Sequence, residues 1–305
     1  MAFTFAHPLA NEASWLESET EVTRLGLTQG RQQLLRQERP VVFIGPADAR
    51  LTFPLLVGLR RHGSDWLIRV DGRGLWSPSR GRWLDSPGDV FMSTPPMIQS
   101  AAPNAVQILV SVHHGAAAET RLGRSVEALA AIAYSVPQRW GVHEPATLAW
   151  DRDALTAAAR ATAPRVARFA VLGAGFAATI RVVRSATGVT EETRFLAPLD
   201  ETSRVVETLA RLSTIQRVLF ASAFTTHFAP DASIPPVFVA PPSPVAVVLG
   251  PQVARRFSLD ALASIVPFRK VGARSAATYI ADFDGCGAEA RRALVCAGLT
   301  LGGAQ

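Results

Sequence analysis

The chain has 305 residues, 48% hydrophobic and 18% charged, a composition that excludes a disordered chain. A chain of this length buries about three-quarters of its unfolded surface, so its core needs no disulfide or metal, and one large domain or two ordinary ones fit. The formal net charge of +6 comes from 30 arginines and one lysine, Lys270, against 25 acidic residues; no run of five basic residues occurs, which argues against the concentrated stripe of a nucleic-acid-binding protein.

In chain order, residues 20–36 have a helical composition. Val41 to Ile44 reads as a short buried strand stopped by Gly45-Pro46, and Leu51 to Leu59 as a helix. Trp66 to Val70 is a strand closed by the Asp71-Gly72 turn. Leu75-Trp76 and Arg82 to Leu84 flank residues 77–81 as a hairpin. Val106 to Val112 is a β-branched strand, and residues 119–134 place Leu122, Val126, Leu129 and Ala133 on one helical face.

Pro137 and Pro145 interrupt regular structure at 136–150, and all six tryptophans lie before residue 151. That shift predicts two subdomains, residues 1–145 and 146–305. In the second, Ala154 to Ala163 is a helix capped by Asp151 or Asp153. Runs at 168–172, 178–184 and 190–197 are β-like, with Gly188 in the turn between the last two. Val205, Leu209 and Leu212 mark an amphipathic helix. Residues 218–224, 237–239, 245–249 and 277–283 read as strands, and 259–265 and 288–299 as helices. The predicted class is α+β: two subdomains, each a mainly antiparallel sheet with helices packed on one face.

Residues 1–14 lack the basic start and apolar block of a signal peptide. The uncharged run 232–254 holds six prolines and cannot be a membrane helix, so no membrane insertion is expected. Cys286 and Cys296 have no C-x-x-C companion, and Cys296 reads as a buried small hydrophobe.

The segment Gly173-Ala174-Gly175-Phe176-Ala177-Ala178 matches G-x-G-x-x-A after a strand, with Glu191 and Glu192 at the distance of a ribose contact. A nucleotide-binding enzyme using Gly173, Gly175 and Ala178 is therefore one reading. Against it, Thr179 to Val183 is β-branched and resists the helix that a diphosphate site requires; a glycine turn between antiparallel strands is the preferred alternative. His113 and His114 are adjacent and would point to opposite faces of a strand, and Asp282-Phe283-Asp284-Gly285 reads as a strand end entering a turn. No metal site and no cofactor are expected. Trp140-Gly141-Val142-His143-Glu144-Pro145, with Trp150 beyond it, is an aromatic loop that either anchors a partner or pins a linker to the core.

Three blocks resemble an uncharacterised actinobacterial family, a domain of unknown function often encoded near type VII secretion genes. The first holds Arg50 to Leu55, Trp66 to Val70 and Arg82-Trp83-Leu84. The second runs from Gln107 to Val112 through Ala128 to Trp140-Gly141, Glu144-Pro145 and Trp150. The third holds Ala159-Arg160, Ala163-Pro164 and Arg184 to Glu192. The first hairpin departs from the family in lacking its tyrosines and glycines. The resemblance supplies no catalytic residue. It implies that residues 173–178 open a strand meander, and it implies a cytosolic accessory role as chaperone, substrate adaptor or immunity partner. The expected function is thus non-enzymatic binding of another protein, a secretion substrate or toxin, in the cytoplasm, with no nucleic-acid partner, through Trp76, Trp83, Trp140, His143, Glu144 and Trp150.

Overall fold

The computed structural model describes residues 15–92, 103–238, 242–255, 259, 266–272 and 277–283. Its first part opens with β1 (Leu16–Glu19) and β2 (Arg24–Leu25), then α1 (Gln29–Leu35). Extended chain thus replaces the first half of the helix expected at 20–36. The β-branched Thr20, Val22 and Thr23 and the helix-weakening Gly26 fall in that half, and Thr28 caps the helix that does form, its hydroxyl accepting from Arg31 N–H.

Next come β3 (Val41–Gly45), β4 (Arg50–Thr52), α2 (Phe53–Arg61), β5 (Asp65–Val70), β6 (Gly74–Ser77) and β7 (Arg82–Leu84). Strands 1, 3, 5, 6 and 7 form one sheet in that order; β1–β3 and β3–β5 are parallel and the other two pairings antiparallel. All five residues of β3 are buried, as an apolar strand covered on both faces requires. Thr52 and Pro54 set the start of α2, the first as cap and the second in the opening turn.

The second part begins with β8 (Ala105–Gly115), α3 (Arg124–Ala130), β9 (Pro137–Gly141), β10 (Leu148–Ala149) and α4 (Arg152–Thr162). Asp151 caps α4 as expected, accepting from the N–H groups of Asp153 and Ala154 at 2.7 and 3.2 Å. The meander β11 (Ala167–Gly173), β12 (Phe176–Ser185) and β13 (Gly188–Pro198) follows, then α5 (Thr202–Ile215) and β14 (Val218–Thr226). The remaining elements are β15 (Ser233–Ile234), β16 (Pro244–Leu249), α6 (Pro251–Ala254), β17 (Phe268–Val271) and β18 (Thr278–Asp282). β17 has no counterpart among the expected strands. Val237 and Phe238 are not in a strand, the prolines at 235 and 236 having removed two backbone donors. Most of the helix expected at 259–265, all of that at 288–299, both cysteines and Asp284 lie outside the described residues.

The fold class is α+β. Its centre is a ten-stranded sheet of order β10-β9-β11-β12-β13-β8-β14-β16-β18-β17, antiparallel at every pairing. It draws strands from both sides of residue 145: β8 pairs with β13 on one side and β14 on the other. Alternation along β8 sends Val106, Ile108, Val110 and Val112 into the main core, where α3, α4 and α5 cover the sheet. On the opposite face α2 packs against β12, and Phe53 joins Ala105, Ala177, Leu196 and Phe228 in a second apolar cluster. β15 closes the molecule by pairing with β4, in a small third sheet that also holds β2.

Gly188 carries a positive φ of 144°, and a Cβ there would stand 2.1 Å from the His114 carbonyl oxygen. Gly175, at φ 74°, faces open space. We expect Gly188→Ala to destabilise the protein by roughly 2–4 kcal/mol and Gly175→Ala by about 1 kcal/mol. Denaturant titration of the two variants checks this; equal losses would contradict the tight packing at residue 188.

Candidate functional site

The glycine-rich segment is a hairpin. Gly173 pairs with Phe176 across the two-residue turn Ala174-Gly175, and Phe176 begins the strand β12 where a dinucleotide site would begin a helix. A Cβ on Gly173 would meet the Phe176 ring at 2.1 Å, so the residue is glycine for packing. Ala178 is fully buried. Glu191 and Glu192 point to opposite faces of β13, as alternation dictates, and do not form one ribose contact.

The tryptophan-bearing arch from β9 to β10 turns Trp140 and Glu144 inward and leaves much of its remaining chain exposed. Trp140 is buried, edge-on to Phe169 with ring centroids 5.4 Å apart. Its indole Nε1 has no partner among the described residues, and neither does the buried Nδ1 of His143. Trp150 packs over Gly123, where a Cβ would stand 2.9 Å from its ring, and donates its indole N–H to Glu127 at 3.1 Å. The large hydrophobic side chains exposed in this arch are Val142 and Leu148, which no sequence pattern distinguished from their neighbours.

Glu144 is buried, and its carboxylate accepts the Leu27 N–H at 2.6 Å and the Thr52 hydroxyl at 2.5 Å. Its own N–H donates to the Leu27 carbonyl at 2.8 Å. Burial pushes its pKa up, an effect opposed by the Thr52 and Leu27 hydrogen bonds and by Arg24 and Arg31. The arch therefore acts as a clasp with separate attachments: Trp140 and Trp150 pack on the core of the large sheet, and Glu144 ties it to the first part of the chain.

Trp76 and Trp83 form the second aromatic group. They face each other across β6 and β7, ring centroids 5.5 Å apart and tilted by 59°. Trp76 is half-buried and fixed by its indole N–H on the Pro236 carbonyl at 2.9 Å. Trp83 is 39% exposed, on the edge strand of the five-stranded sheet. One anchored indole thus holds a second one out at a strand edge.

Sequence reasoning missed a cationic cleft of about 460 Å³ where the end of β8 meets the start of α3 and the end of α5. Arg121, Arg124, Arg152 and Arg217 line it with Glu119. Arg121 is paired with Asp153 at 2.9 Å, and Arg152 donates to the Leu122 carbonyl at 2.8 Å and to Glu127 at 3.3 Å. Beside it lies Glu191, with no exposed surface, 3.2 Å from His114 Nε2 and accepting the Gly123 N–H at 3.0 Å. The signal for this buried pair was present: Glu191 shares the inward face of β13 with Thr193 and Phe195. His113 and His114 do point to opposite faces, His114 to Glu191 and His113 toward Gly188. Among the described residues no group of three His, Cys, Asp or Glu side chains stands close enough to hold a metal ion, and no helix is long and apolar enough to cross a membrane.

A family model described as DUF6177, C-terminal domain, matches residues 105–295. The match covers more than half of the chain, which belongs to this family, a domain of unknown function. It starts at the first residue of β8, where the ten-stranded sheet begins. No curated protein sequence matches the chain.

Because the folded protein holds the Glu144 proton more tightly than the unfolded chain does, the group's contribution to stability is fully present below the ordinary glutamate value of 4.5 and is lost as pH rises through the higher folded value. Glu144→Gln cannot titrate. We expect the stability of the wild type relative to Glu144→Gln to decline across the pH window just above 4.5, measured by denaturant midpoints at stepped pH. A parallel pH dependence of the two proteins would show that Glu144 is not held in this way.

Proposed function

We propose that this member of the DUF6177 family is a non-enzymatic accessory factor that binds another protein in the cytoplasm, as a chaperone, adaptor or immunity-type partner. The resemblance to actinobacterial proteins encoded near type VII secretion genes makes a secretion substrate or toxin the partner of choice. The observation that supports this reading is Trp83. A large, stiff aromatic side chain costs little entropy to immobilise, and tryptophan is enriched among the residues that dominate binding energy. Here it is held at the edge of a sheet by Trp76, which is itself tied to Pro236. The edge strand is only three residues long, which discourages indiscriminate strand pairing while leaving the indole available to a specific partner.

The test places a photoreactive benzoylphenylalanine at position 83 in cells that make the protein, with the same probe at exposed Asp200 as control. One discrete adduct to another protein is expected from position 83 and none from position 200. Trp83→Ala should abolish co-purification of that protein while shifting the melting temperature by less than about 2 °C. No adduct, or the same adducts from both positions, would overturn the reading.

A further inference from the structure

The face of the ten-stranded sheet that α2 crosses carries a row of charges set by strand register. Arg168 on β11 lies opposite Arg181 on β12, and Arg181 opposite Glu192 on β13. Arg194, two residues along β13, shares that face. Arg181 and Arg194 both reach Glu192, at 3.3 and 3.2 Å. Arg61, at the end of α2, acts electrostatically on the same group. Arg181 and Arg194 are thus bonded to Glu192, whose charge also acts on Arg168 and Arg61 without a bond to either. The Nε atoms of Arg168 and Arg181 are buried with no hydrogen-bond partner among the described residues. Burial, aided by Arg61, Arg181 and Arg36, lowers Arg168 to about 10, which still leaves it charged at neutral pH.

We propose that this sheet face docks an acidic segment of a protein partner, whose aspartate and glutamate carboxylates take up the guanidinium groups that Glu192 leaves unmatched. Arginine forks accept carboxylates in bidentate geometry, and adjacent strands present them about 4.8 Å apart, within the reach of successive acidic side chains. Glu192 repels any anion at the centre of the face, and it is the absence of a run of five basic residues in the chain that favours a protein's carboxylates over a nucleic-acid backbone. This inference rests on the protein-binding reading.

Fluorescence anisotropy with fluorescein-labelled deca-glutamate tests it, with an unlabelled DNA duplex as competitor at the same salt. We expect the wild type to bind the peptide, Arg168→Gln/Arg181→Gln to bind about tenfold more weakly, and Arg61→Gln about threefold more weakly. Arg124→Gln/Arg217→Gln, which removes the same charge from the cleft, should stay within about twofold of the wild type. Glu192→Gln should bind more tightly. Arg61 is exposed at a helix end, so its variant decides the matter if the double variant fails to fold. No binding, equal weakening by the sheet and cleft variants, or stronger binding of the duplex would overturn the proposal. Loss of peptide binding while the position-83 adduct persists would remove this surface alone; absence of both would remove the accessory reading with it.

Discussion

The buried carboxylate of Glu144 is the constraint that locates the first part of the chain on the large sheet. Removing a charge from water is costly unless its oxygens are satisfied, and both donors come from far away in sequence, Leu27 and Thr52. Thr52 is also the cap of α2, its hydroxyl accepting from Leu55 N–H while donating to Glu144. The contact that satisfies the carboxylate therefore also fixes where α2 begins. From that point Phe53 enters the cluster with Ala177 and Leu196, and one helix length later Arg60 and Arg61 arrive over the arginine face. Gly26 completes the fit, since a Cβ there would come within 3.3 Å of the Glu144 carboxylate.

Local pattern announced the elements and left their assembly open. The uninterrupted apolar run Val41 to Ile44, the alternation from Val106 to Val112 and the capping aspartate at 151 are short-range signals, and each corresponds to the expected element. Sheet partners are long-range. β8 pairs with strands beginning at residues 188 and 218, and nothing in the composition near residue 145 encodes that. The clustering of tryptophans in the first half follows different logic: Trp140 and Trp150 serve the large sheet's own core and arch, whereas Trp76 and Trp83 serve the other sheet.

The candidate sites divide along the same line. Tryptophan, histidine and glutamate in a glycine- and proline-rich loop have the composition of an interface, yet at 140–150 they make a clasp, because the loop's carboxylate and indole face inward. At the hairpin the same residue type is left outside, since Trp76 already occupies the inner place. Arginine carried the least information in sequence. Thirty are scattered through the chain, and only strand register shows that Arg168, Arg181 and Arg194 share one face.

That face also explains why an acidic residue stands among its cations. Four guanidinium groups held together without a counter-charge would oppose folding, and Glu192, bonded to two of them, lowers that repulsion and orients both side chains. Arg168 and Arg61 are not bonded to it, and theirs is the cationic surplus that persists in the folded state. Arg181, Arg194 and Glu192 are partly shielded from solvent, and dissolved salt screens such charges less than fully exposed ones. The surplus is therefore felt at physiological ionic strength by any acidic segment that reaches the sheet, and its orientation is set before that segment arrives, which reduces the entropy lost on binding.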